Sequence, residues 1–368
     1  MRFYLPLIAV AILFASALVF SAEPAYRTDN GKEQLPWFQL RAGEFPPEGS
    51  AHYIAGELIA VDHVNRKGVL RQDRDHSQRT DEYDRPLPFT LLPYGSLGFH
   101  GAPAELRDIP IGTHLHGKFY FEEKGGKNGA GAFTKALRLE DDFTFSIQQQ
   151  RLWRIDALAL DKGTITATSV SLEANQAAVP LTEFQITPAT RIWKGRAVGT
   201  LADLTVGQSV LLNLTLCTLK GPGRCTDIWL DVESRQLASH LQIQNHHQYL
   251  REHGIAAVID EVDNQQGIVV ATLFAGFDPT LKAEFPANDY IGAAVAEESL
   301  RTYDQAGDFM QGPILEVQSV PVVPGNSGMR IKFKPERLLE GYRPKRIVRL
   351  FSSRWRVDEL PREERLYE

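Results

Sequence analysis

Two histidines, His114 and His116, lie one residue apart in the stretch ELRDIPIGTHLHGKFYF (105–121). On a β-strand alternate side chains share a face, so both imidazoles point the same way. Imidazole is a common ligand for divalent metals, and with His100 or Asp108 nearby the pair makes a three-ligand set. The competing reading places both rings on the solvent-facing wall of one strand. A second copy of the same frame, described below, favours that reading, because its matching positions are Ser209 and Leu211.

Other residues with chemical potential cluster in two basic stretches. RKGVLRQDRDHSQRTDEYDRP (66–86) carries six Arg or Lys and five acids in 21 positions, a pattern of solvated loops laced with weak ion pairs. As a recognition loop at a barrel mouth it offers Arg74, His76 and Arg79. Near the C-terminus Arg343, Arg346, Arg349 and Trp355 interleave cations with aromatics, a face suited to an anionic glycan or to stacking on a sugar ring. NHHQYLREH puts His246, His247 and His253 on one helix, but no i, i+4 His pair exists there, so a wet polar face is expected. No G-x-S-x-G, H-E-x-x-H or phosphate-cradling loop is present, and no catalytic residue is assigned.

The elements that must position these groups are short strands. LPFTLLPYG (87–95) and LTEFQITPAT (181–190) share a Phe-x-x-x-Pro frame, Phe89 with Pro93 and Phe184 with Pro188. ELRDIPIGTHLHGKFYF and TLADLTVGQSVLLNLTL superimpose Leu106 on Leu201, Asp108 on Asp203 and Gly112 on Gly207, always at an offset of 95. Three stretches, 53–70, 152–170 and 254–274, open with alternating apolar residues, an Asp (Asp62, Asp161, Asp263) and a Gly turn (Gly68, Gly163, Gly267). Each predicts a hairpin that begins a unit. The third unit is divergent, with 338–355 in the place of the Leu-x-Asp-x-x-x-Gly strand and Glu340 near the Asp position.

The expected fold is therefore all-β: three tandem small antiparallel OB-like barrels with one linking helix. Residues 51–150 form unit 1, 151–233 unit 2, 234–253 the helix, capped by Ser234 and stopped by Gly254, and 254–368 the divergent unit 3 with a tail. Residues 1–22 read as a signal peptide, with an apolar run from Leu5 to Phe20 and small residues at Val19 and Ser21, and 23–50 as an N-terminal extension. No later segment is apolar enough to span a bilayer, so no membrane span is expected after cleavage.

Net charge is −6 with the signs interspersed, which argues against a nucleic-acid partner. The two cysteines, Cys217 and Cys225, flank Gly221-Pro222-Gly223. A hairpin centred on Gly221 sets them opposite each other, and an oxidising compartment favours a disulfide.

The unit pattern, a Val-Asp hairpin followed by Leu-x-x-(Leu/Ile)-x-x-Gly and an alternating strand, resembles small exported OB-like barrels of bacteria. These include uncharacterised repeat proteins and the periplasmic copper/silver-binding OB-fold proteins. The resemblance covers 53–122 and 153–232, and 254–355 more loosely. It implies a barrel fold. The copper-binding group would also imply a His and Met ligand set. His76 falls near that His, but Pro86 and Pro88 stand near the Met positions, and the chain has only Met1, Met310 and Met329. The function expected is a non-enzymatic exported envelope scaffold or binding module for a protein or glycan partner. Its rival is a periplasmic metal-binding protein with a divalent cofactor on His100, His114 and His116.

Overall fold

The structure, a computed structural model, describes residues 25–31, 33–73, 86–123, 131–171, 181–215, 223–296 and 309–355. Residues 1–22, expected as a signal peptide, and Arg74, His76, Arg79 and Cys217 lie outside them. The chain is all-β with three small closed barrels of five, five and six strands and few helices.

Barrel 1 contains β1 (His52–Asp62), β2 (Lys67–Gln72), β3 (Pro86–Phe99), β4 (Ala102–Ala104), β5 (His114–Glu122) and β6 (Ala132–Asp141). A short helix α1 (Asp142–Gln148) follows. Barrel 2 contains β7 (Arg151–Ala159), β8 (Thr164–Ser171), β9 (Thr182–Gln185), β10 (Arg191–Lys194), β11 (Ala197–Val198), β12 (Ser209–Thr215) and β13 (Gly223–Trp229). The long helix α2 (Val232–His253) leads to barrel 3: β14 (Ile255–Asp263), β15 (Ile268–Phe274), β16 (Tyr290–Ala296), β17 (Phe309–Ser319), β18 (Asn326–Phe333) and β19 (Ile347–Ser352).

Barrels 1 and 2 correspond strand for strand. The first closes as β1-β2-β3-β6-β5 and the second as β7-β8-β9-β13-β12, each sealed by one parallel pair, β3 with β6 and β9 with β13. That is the five-stranded OB-type path. Phe89 and Phe184 lie on those parallel closing strands and are buried, which accounts for the shared Phe frame. Barrel 3 takes another route, β14-β15-β18-β17-β16-β19, with every pair antiparallel.

One local device recurs in all three. The first strand bulges after Leu58, Ile155 and Ile259. Each of these residues exchanges two backbone hydrogen bonds with the turn before the strand that closes on it. Gly112 N–H donates to Leu58 O at 2.7 Å, Gly207 to Ile155 O at 2.7 Å, and Lys345 to Ile259 O at 2.8 Å. The returning bonds come from Leu58 to Thr113 O, Ile155 to Gln208 O and Ile259 to Arg346 O. The Asp of the repeated frame caps the preceding 3-10 turn: Asp108 accepts from Glu105 N–H and Asp203 from Thr200 N–H, both at 2.8 Å.

Alternation fills each barrel. Leu115 and Phe119 of β5 point inward with Leu58, Leu70 and Leu139, and barrels 2 and 3 have separate cores of the same kind. The N-terminal extension lies across barrel 1, where Phe38 and Leu40 pack on Leu92, Tyr120 and Leu137.

Two expectations about α2 need correction. Its N-cap is Asp231, whose carboxylate accepts from Ser234 N–H at 2.7 Å, so Ser234 is inside the helix. The face expected to be wet is the buried one, holding Gln242, His246 and Leu250, whereas Leu241 is exposed. The helix is a strut between barrels, and their polar walls receive its polar face. The cysteine pairing expected across this hairpin involves Cys217, which lies outside the described residues. Cys225 stands opposite Leu214 and points into the barrel 2 core.

Candidate metal centre

His114 and His116 are on the outer face of β5, as the alternation requires, yet that face is not solvent. Helix α1 and β12 of barrel 2 cover it, so His114 is 2% exposed. The expectation of a solvated wall fails because the outer wall of one barrel is the inner wall of a junction between two.

The third group at this junction is Asp142, the first residue of α1. Asp141 caps the helix by accepting from Thr144 N–H at 2.8 Å, which fixes the turn and aims Asp142 back at β5. Asp142 Oδ1 lies 2.7 Å from His114 Nδ1 and 2.8 Å from His116 Nε2. One ligand atom from each of the three residues lies within 4.8 Å of the other two.

Every one of these groups is also held from behind. His114 Nε2 is 2.9 Å from Asp73 Oδ2, and His116 Nδ1 is 2.6 Å from Tyr53 Oη. Asp142 Oδ2 accepts from Leu214 N–H of barrel 2 at 2.8 Å. Phe145 of α1 stacks on the His116 ring at 3.9 Å and 9°. Burial by itself would raise the Asp142 carboxyl. The charge and hydrogen bond of His114, followed by those of His116, outweigh it and hold the group far below the ordinary carboxylate range.

The remaining sequence candidates are dispersed. His100 is not in the cluster: it sits on the β3–β4 turn, stacked on Phe99 at 3.8 Å and edge-on to Trp229 at 4.9 Å. Its backbone N–H donates to Asp141, and burial lowers its pKa. Asp108 is engaged by its 3-10 turn and by Gln242 of α2. The expected basic ligand face of unit 3 is divided. Arg343 pairs with Glu340 at the surface. Arg349 is buried and donates to Gly254 O at 2.9 Å. Trp355 is buried in the barrel 3 core against Phe285 and Phe351, since the chain turns inward after β19. Arg346 faces a cleft between barrels 1 and 3, whereas Arg349 lines a separate small cavity.

Asp142 carries no sequence signal of its own. It follows a strand directly and opens a helix of seven residues, too short for periodicity to mark. No family model, curated protein or solved structure matches this chain. The functional reading therefore rests on the chemistry of the site.

Proposed function

We propose that the protein is a non-enzymatic, exported binding module of the bacterial envelope that holds one divalent metal ion at the junction of barrel 1 and barrel 2. His114 Nδ1, His116 Nε2 and Asp142 Oδ1 are its ligands, and the set of two imidazoles and one carboxylate suits a zinc-type cation. The observation that carries the reading is the second layer. Metal-bound imidazoles typically donate their other N–H to a carboxylate or similar acceptor, and here Asp73 and Tyr53 stand at those positions. A buried imidazolium would also place an acceptor at each N–H, so uptake of a metal ion is what decides between the two. The envelope partner, a protein or a glycan, belongs to the same proposal, as does a Cys217–Cys225 bridge. Titration of denatured, unreduced protein should then find no free thiol.

Chelator-stripped protein titrated with Zn²⁺ should take up one equivalent by calorimetry. The double variant His114→Ala with His116→Ala should lose it. Tyr53→Phe should weaken binding by about tenfold while leaving the fold intact, since the lost hydroxyl is an outer-layer acceptor. Absence of uptake by the parent protein, or equal uptake by the double variant, would overturn the metal reading.

A further inference from the structure

A second cleft, of about 350 Å³, opens on another side of barrel 1, between its strand β3, the 40–45 segment of the N-terminal extension, and barrel 3. Its volume is in the range of small-molecule sites. Two features set its chemistry. One is an aromatic group in which Phe45, Tyr94 and Phe274 meet edge to face with ring centroids 5.4, 5.9 and 5.6 Å apart, the half-buried Phe45 and Tyr94 facing the cleft and Phe274 buried behind them. The other is a cationic rim of Arg41, Lys135, Lys345 and Arg346 with Glu44 as the only acid in the lining. Arg41 reaches Glu44 at 3.9 Å and Lys135 reaches Glu122 at 3.7 Å. Among the described residues Lys345 and Arg346 form no ion pair. Against a net charge of −6 for the chain, this is a local concentration of positive charge.

The placement of Lys345 is not incidental. It occupies the turn position that Gly112 and Gly207 take in the other barrels, and it adopts the same left-handed backbone, φ +71° against +95° and +87°. A side chain there is strained, and such strain tends to persist where a site needs the residue. The stem of Lys345 also runs against Gly43, where an added Cβ would come within 2.6 Å of its methylenes. Gly43 is itself left-handed, φ +76°, so glycine suits position 43 for its backbone as well as for the room it leaves the lysine.

We infer that this cleft binds a ring-bearing organic anion of the sugar-acid class, the ring on the aromatic group and the carboxylate between Lys345 and Arg346. Guanidinium recognises carboxylate through paired N–H donors, and aromatic faces accept the apolar face of a sugar ring. The site is separate from the metal centre and does not depend on it.

The test uses the full chain and a short oligouronate, with the neutral oligosaccharide of the same linkage and inorganic phosphate as the other arms. The oligouronate should bind, more weakly as salt rises, and the neutral sugar should bind at least tenfold more weakly. Arg346→Gln and Lys345→Gly should each reduce oligouronate affinity about tenfold or more. Lys345→Gly should at the same time keep or raise the melting temperature, because glycine relieves the turn, so a fall in affinity would not reflect misfolding. Equal binding of the neutral sugar, binding of phosphate alone, no oligouronate binding, or variants that bind as the parent does would each overturn the inference.

Discussion

His246 and Asp142 are both buried ionisable groups, and their surroundings treat them oppositely. Neither ring nitrogen of His246 has a hydrogen-bond partner among the described residues. It lines a cavity of about 40 Å³ with Arg66, Glu105 and Arg349, so cations outnumber the single acid there. Burial first, and then the charge of His247, pull its pKa from 6.5 down to about 4, with Asp278 opposing. Between those values the unfolded chain binds the extra proton, so stability rises with pH across the window and is lost as pH falls from 6.5 toward 4. The loss amounts to about 3 kcal/mol. His246→Phe, which sacrifices no hydrogen bond, should hold stability near pH 7 and remove that part of the slope in urea titrations run at pH 7, 5.5 and 4.5. An unchanged slope would mean that His246 is charged or solvated in the native state. Asp142 acts lower on the scale: its carboxyl is held below the usual range, so its contribution is present above the ordinary carboxylate pKa and disappears only under stronger acid. Of these groups, His114 and His116 were legible because two-residue spacing on a strand fixes their common side. Asp142 and His246 were not, since what buries them comes from other barrels.

At the scale of elements, the left-handed turn before each closing strand is the piece of the repeat that matters most. Gly207 has φ +87° and nothing within 4 Å of an added Cβ, so Gly207→Ala meets only the backbone penalty. Destabilisation of about 1–2 kcal/mol is expected in chemical denaturation, and a neutral result would show that the turn can relax. The same device explains which units were readable in the chain. In units 1 and 2 the Asp cap and the Gly turn keep their residue identities, so Leu106, Asp108 and Gly112 align with Leu201, Asp203 and Gly207. In unit 3 Gly341 stands where the cap Asp would be and Lys345 where the glycine would be, so the identities and the side-chain cap vanish while the two backbone hydrogen bonds of the turn remain. Glu340 misses the Asp position by one residue and pairs with Arg343 instead. Alternation predicts that strands exist and which face is apolar. It does not encode the order in which they pair, so the all-antiparallel path of barrel 3 was beyond its reach.

Over the whole molecule, the three barrels are tied by polar contacts that only the folded assembly can satisfy. Helix α2 and its cap reach all of them. Asp231 accepts from Gly195 N–H of barrel 2 at 2.8 Å, Ser239 donates to His100 O of barrel 1 at 2.6 Å, and His247 meets Asp278 of barrel 3 at 2.8 Å. Barrels 1 and 2 are further joined by Asn213, 2% exposed, which accepts from Phe143 N–H at 2.9 Å and donates to Asp141 at 3.0 Å. Asn213→Ala leaves the Phe143 N–H without a partner in a junction packed by Phe143 and Trp229, at a cost of about 2 kcal/mol. If the barrels unfold as one unit, native-state hydrogen exchange should show that loss equally at core amides far apart, Ile155 and Val210 in barrel 2 and Ile259 and Val269 in barrel 3. Independent barrels would instead lose protection near Asn213 and keep it in barrel 3. The helix decides between these outcomes: freeing barrel 3 together with α2 from barrel 1 would also expose Gln242 and His246 and strip Pro103 O of the bond it accepts from Gln242. Equal loss at both sites is therefore the expected result, and preserved protection in barrel 3 would show that α2 is a tether between domains that fold separately.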